Sequence, residues 1–338
     1  MDKLKSIFKS RFMKKAAILS ALVAILAAVY ILTFVFDPEN RSDAAFAWLE
    51  KDLYDMADRI EISGEEGRTV LSRVNNVWFF SDASEGPARM LPVKQERVGD
   101  LFAMLGRKEV YPLRASSPEA IERLGLDEGS ASRITVRGGA GLPLLDLLVG
   151  FVGAIGREVY LRRAGWNRIY STEEDFFSFT EAKPASWYDL RLFPPTPDES
   201  GGNFGRAVIG LDMVQQVEVS LPDEDPFVFR RSGQGWIIPG NGIALDSIKV
   251  EAWLRKIIEA QAEDFGYNPP DVVEGSLTIR LGDGSSRTLM MGPVEKYGIE
   301  GQNYRSTTVS GSALVYLLND NMFNVFFDLS FYNLNDSL

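Results

Sequence analysis

Two residue types are missing from the 338-residue chain altogether, cysteine and histidine. Without cysteine there can be no disulfide, no thiolate nucleophile and no Cys-based zinc site. Without histidine there is no imidazole base, so Ser-His-Asp and Cys-His chemistry is excluded. An enzyme built on this chain would have to work with carboxylates. The remaining composition is ordinary: 45% of the residues are apolar and 25% charged, which argues for a folded chain long enough for two domains. The net charge of -11 is unevenly placed. Residues 1–15 hold six basic side chains against Asp2, a local +5 that leaves -16 on the rest. A body that acidic repels phosphate backbones, so nucleic acid is not an expected partner.

Residues 16–36, AAILSALVAILAAVYILTFVF, run for 21 positions without a charge. As a helix rising about 1.5 Å per residue this stretch is roughly 32 Å long, enough for a hydrocarbon core of about 30 Å. A cleaved signal peptide is the competing reading. Its apolar part would be about 7–15 residues long and would end at a small-residue cleavage site, whereas Ala27 and Ala28 run on into VYILTFVF. The expectation is an uncleaved, single-pass anchor in the cytoplasmic (inner) membrane. The basic 1–15 tail stays in the cytoplasm and the C-terminal body lies outside it. The membrane is thus one expected partner, through residues 16–36. After the anchor, Phe46, Leu49, Leu53, Met56 and Ile60 recur at spacings of three and four, predicting an amphipathic helix over 43–58 within a juxtamembrane segment, 37–59.

The body contains an echo. WYDLRLF (187–193) is matched by FFDLSFY (326–332), and the residues upstream of each copy correspond in order. RIEIS (59–63) faces QVEVS (216–220), and Trp78 in NNVWFF faces Trp236 in GQGWII. A helical stripe of Val98, Leu101, Phe102 and Leu105 is answered by Val250, Trp253, Leu254, Ile257 and Ile258. RITVRGGAGLPLLDLLVG (133–150) and LTIRLGDGSSRTLMMG (277–292) both read apolar run, glycine-rich turn, apolar run, glycine, a hairpin pattern. VYLRR (159–163) is set against NYRST (303–307), and RIY (168–170) against LVY (314–316). The segment SSPEAIERLGLD (116–127) has no counterpart. These correspondences predict two tandem diverged repeats, 60–193 and 211–338, joined by a Pro- and Gly-rich linker at 194–210. The expected fold class is α+β, an N-terminal transmembrane helix followed by two mainly antiparallel sheets with one principal helix each. A β-sandwich is the alternative, and the helix expected at 248–262 argues against it.

The order of TVLSRVNNVWFF, RLGLD, a hairpin ending in LLVG, REVYLRRAGWNRIYST and WYDLRL resembles the bacterial family called domain of unknown function 4340. The resemblance covers most of residues 50–192 and, more loosely, the second copy. It implies a membrane-anchored protein encoded beside subunits of ABC-2 type transporters, including those linked to gliding motility, and hence an ABC transporter permease or related envelope protein as partner. It supplies no catalytic residue.

The repeat itself offers one catalytic idea, because Asp189 and Asp328 occupy equivalent positions and paired carboxylates from two lobes can share a proton. Their flanks of WY, FF and Leu favour a structural Asp that accepts backbone hydrogen bonds. RGGAG (137–141) and LGDGSS (281–286) lack the G-K-[ST] ending of a phosphate loop and read as hairpin turns. PDEDP (222–226) lacks the spaced ligands of a calcium loop. Asp146 and Pro143 make LPLLDLLVGFVGAI (142–155) a core strand rather than a second span. Trp78, Trp236, Trp166 and Tyr170 are candidates for an aromatic platform, with Trp166 the best placed to be exposed. No catalytic, cofactor or metal site is assigned. The leading expectation is a non-enzymatic extracytoplasmic accessory or scaffold protein of an ABC-type transport system. The alternatives are a polysaccharide-binding module, which needs a row of exposed aromatics, and a carboxylate-dependent envelope hydrolase.

Overall fold

A computed structural model describes Val23, Leu26 and residues 44–65, 67–82, 89–152, 158–193, 209–233, 235–297 and 301–329. The expected tail, nearly all of the anchor and of the linker, and residues 330–332 of the second heptapeptide lie outside this set. Among the described residues no helix is long and apolar enough to cross a membrane.

Two nine-stranded sheets dominate. The first comprises β1 (Ala57–Gly64), β2 (Gly67–Val74), β3 (Val77–Asp82), β4 (Arg89–Pro92), β5 (Leu113–Ala115), β6 (Ser132–Gly138), β7 (Leu142–Val152), β8 (Val159–Arg163) and β9 (Ile169–Thr172). Helices α1 (Gln95–Leu105) and α2 (Pro118–Arg123) flank β5 in sequence. The second comprises β10 (Val214–Ser220), β11 (Phe227–Ser232), β12 (Gly235–Ile237), β13 (Ala244–Leu245), β14 (Asp264–Gly266), β15 (Gly275–Leu281), β16 (Ser286–Tyr297), β17 (Gln302–Val309) and β18 (Val315–Asn319). Here α3 (Ser247–Ile258) precedes β14 and α4 (Asn321–Phe327) follows β18. The first sheet is ordered β4-β3-β2-β1-β6-β7-β8-β9-β5 and the second β13-β12-β11-β10-β15-β16-β17-β18-β14. Adding nine to each strand of the first order gives the second. Every pairing with a described register is antiparallel, so the class is α+β.

The registers repeat as well. Arg73 faces Trp78 across β2 and β3, and Arg231 faces Trp236 across β11 and β12; both tryptophans are buried. β7 slips against β8 between Val149 and Val152, and β16 against β17 between Met291 and Val294, each slip next to a glycine, Gly150 or Gly292. Tyr170 and Tyr316 hold matching places, opposite Leu161 and Thr307. One pairing read from the sequence is corrected. Leu161 opposes Val149 as Thr307 opposes Met291, so VYLRR (159–163) matches residues 305–309, two positions beyond NYRST. Side chains alternate faces with a period of two, so a slip of two leaves the in-and-out pattern unchanged.

The helix expected over 43–58 is also corrected. Phe46 bridges to Glu109, the Leu49 N–H donates to the Leu105 carbonyl, Lys51–Leu53 forms a single 3-10 turn, and β1 begins at Ala57. Ala47, Trp48 and Leu49 are buried in succession, which one face of a surface helix cannot achieve.

Contact density gathers the chain into two compact units that alternate along the sequence. One takes the described residues up to Asp55 with Phe102–Thr135 and Pro143–Thr180; the other takes Met56–Leu101, Val136–Leu142 and the chain from Glu181 onward. In the first, α2 starts where the Ser117 side chain accepts from the Ala120 N–H and Pro118 occupies the first turn. Beneath it Ala120, Leu126, Leu148 and Ile169 form a small core. The second unit has the larger core, where Leu91, Tyr188 and Leu192 pack with Val217, Leu254 and Ile279. Helix α3 is capped by the Asp246 carboxylate and buries Val250, Trp253, Leu254, Ile257 and Ile258, the stripe expected from the sequence. WYDLRLF is threaded through this core. Lys94 N–H donates to the Trp187 carbonyl and Asp189 N–H to Pro92, while Leu192 N–H reaches Ala260 and Ala262 N–H reaches Leu190. Its counterpart instead closes α4, with Phe326 and Phe327 buried.

Candidate functional site

Two of the four residues singled out in the sequence, Trp166 and Tyr170, line one cavity of about 460 Å³ in the first unit. Its wall is an aromatic cluster. Phe46 lies 5.2 Å from Trp48, 5.0 Å from Tyr111 and 5.3 Å from Tyr170, centroid to centroid, and Trp48 is 5.7 Å from Tyr170. Tyr170 is buried, whereas Trp166 is 44% exposed. The Trp166 ring follows Gly165, whose φ of +75° puts the backbone in the left-handed region that favours glycine. Burial pushes the Tyr111 phenol up to about 12, with the Glu109 and Glu174 carboxylates adding to the shift. Arg163 and Arg168 also line the cavity. Arg163 sits 5.1 Å from the Trp166 centroid and donates through Nη2 to the Trp48 carbonyl at 2.6 Å. Desolvation lowers its pKa.

The two aspartates are in different settings. Asp189 is buried, and its carboxylate accepts from Arg191 Nε at 2.7 Å and Nη2 at 2.6 Å. The hydrogen bond with Asp189 is the main cause of the raised Arg191 pKa, and burial opposes it. Asp328 is the exposed C-cap of α4 and lines a depression with Lys249 and Lys256. The glycine-rich turns behave as expected: Asp283 accepts from Ser285 N–H and Oγ in the turn between β15 and β16. Asp146, inside the apolar β7, is paired with Arg133. Among the described residues no group of three or more His, Cys, Asp or Glu is placed to hold a metal ion.

The model of the family described as domain of unknown function (DUF4340) matches residues 87–278, more than half of the chain. The chain belongs to this family. No curated protein and no solved structure matches it. In this DUF4340 protein the matched region starts just ahead of β4, which leaves TVLSRVNNVWFF (69–80) outside it, and ends in β15, within the second copy. It includes Arg163, Trp166, Tyr170 and Asp189 and stops before Asp328. Sequence reasoning missed Phe46, Trp48 and Arg163 as cavity residues. The first two were absorbed into an expected helix, and the signal for the third was the Arg pair ahead of AGW (164–166).

Proposed function

We propose that this DUF4340 protein is a non-enzymatic, membrane-anchored accessory protein. Its extracytoplasmic body, two tandem diverged repeats at 60–193 and 211–338, binds and organises an ABC-type transport complex. The observation that carries the reading is the repetition of one strand order in two sheets, on a chain whose residues 16–36 form an uncharged apolar run. Two related surfaces on one tether raise the local concentration of the second contact once the first has formed. The engagement of Asp189 by Arg191 supports a structural part for that carboxylate. The choice of partner follows the resemblance to proteins encoded beside ABC-2 type subunits.

The experiment has two parts. Protease added to intact spheroplasts should digest the chain beyond residue 36, and protection until lysis would overturn the orientation. Mild detergent extraction and pull-down with the full-length protein should recover transporter permease subunits, and a form lacking residues 1–36 should recover fewer. Turnover of an envelope substrate by the soluble body, lost in a folded D189N/D328N double variant, would sink the non-enzymatic reading.

A further inference from the structure

We propose that the aromatic cavity of the first unit is a receptor for an anionic group, carboxylate or phosphate, carried on a flat ring, with Arg163 gripping the anion and Trp166 stacking on the ring. The inference goes beyond the accessory role and stands independently of it.

Arg163 lies half-buried in the cavity wall without a carboxylate, whereas several other arginines of the chain are paired. Arg305 pairs with Glu274 and Asp320 at 2.7 Å each, Arg191 with Asp189, and Arg133 with Asp146. Arg162, next in sequence, directs Nε and Nη2 to the Leu126 carbonyl and Nη1 to that of Trp166, and its Nη2 lies 3.9 Å from the Glu128 carboxylate. Among the described residues Arg163 has no ion pair; it holds only the Trp48 carbonyl and the face of Trp166, and its buried Nε has no acceptor. A half-buried guanidinium without a counter-charge is costly, and a bound anion would offset that cost.

The duplicate sheet shows that the fold does not require this residue. Arg163 opposes Leu147 on β7 as Val309 opposes Leu289 on β16, and Val309 is buried core. The first copy therefore places a cation where its twin places an aliphatic side chain. Arginine suits such a task, since its planar fork matches carboxylate and phosphate oxygens while its face stacks on an aromatic ring. The cavity, about 460 Å³, lies within the range of small-ligand sites, roughly 300–1,000 Å³, which combine aromatic walls with few polar groups. Arg168 adds a second cation, and the wall carboxylate of Glu50 is held 3.3 Å from Lys108.

The test uses the full-length protein in neutral detergent micelles, reading tryptophan fluorescence and calorimetry. The probes are benzoate and phenyl phosphate, which join a flat ring and an anion, against phenol and inorganic phosphate, which each lack one part. At least one ring anion should bind tenfold or more tightly than either half-probe. R163Q should lose at least tenfold in affinity, and W166A several-fold. R163K keeps the charge and a donor for the Trp48 carbonyl but not the fork; it too should bind more weakly, and it decides the matter if R163Q does not fold. Equal binding of charged and neutral probes, absence of binding to every anion, or wild-type affinity in a folded R163Q or R163K would overturn the assignment.

Discussion

At the residue scale, the Asp189 carboxylate is buried against a fork from Arg191, whose side chain is 29% exposed, and Arg191 also reaches Glu96 at 3.2 Å. D189N leaves that guanidinium with its weaker, more exposed partner. The expected loss is about 2 kcal/mol, between the values for an exposed pair and for a fully buried one. Asp328 occupies the matching position of the second heptapeptide but is exposed at the carbonyl end of α4. A charge there meets the negative pole of the helix, so D328N should change stability by less than about 0.5 kcal/mol. Urea unfolding of the two single variants separates them. Equal losses would mean that the repeated aspartates share one structural role after all.

At the scale of the element, the two glycines beside the strand slips are the sharpest test of the duplicated design. A Cβ at Gly150 would fall against the Leu124 carbonyl and within 2.8 Å of Leu126 Cγ; one at Gly292 would lie 2.6 Å from Pro270 Cβ and 3.1 Å from Ser306 Oγ. G150A and G292A should each cost about 1–3 kcal/mol through overpacking. Gly99, inside α1, has open space around a Cβ, so G99A should stabilise by up to about 1 kcal/mol. Thermal melts of the three variants check the signs. Both slip glycines were legible in the sequence, as the residues closing LLVG and MMG. So were the stripes of α1 and α3 and the match of Trp78 with Trp236, because each leaves a periodic or positional mark. The threading of Trp48 left none, since the backbone bonds that fix the segment run from Phe46 to Glu109 and from Leu49 to Leu105, some sixty positions away. The two-residue offset of β8 against β17 is invisible to a pattern of period two. The isolation of Arg163 is a statement about partners that are missing, and only packing can show it.

For the whole molecule, the boundary suggested by the repeat does not mark where one core stops. Leu91, Tyr188, Leu192 and Phe193 belong to the cluster that also holds Val217, Phe229 and Tyr316. Tyr188 meets Phe265 at 5.3 Å, and Arg89 donates to the Gly266 carbonyl while stacking 3.8 Å from the Tyr267 ring centroid. A chain ended at residue 193 should therefore expose these side chains and fail to unfold cooperatively. Near-ultraviolet circular dichroism and a urea titration would show it, and a sharp single transition in that fragment would refute the expectation. The tie between residues 190–192 and 260–262 also has a consequence in time. A ribosome adds about 5–20 residues per second, so the partners of Leu190 and Leu192 follow them out of the exit tunnel only after roughly 4–14 s. Throughout that interval the Leu190, Leu192 and Phe193 end of WYDLRLF lacks the partners that cover it, and a holding chaperone or the translocation machinery has that long in which to bind it.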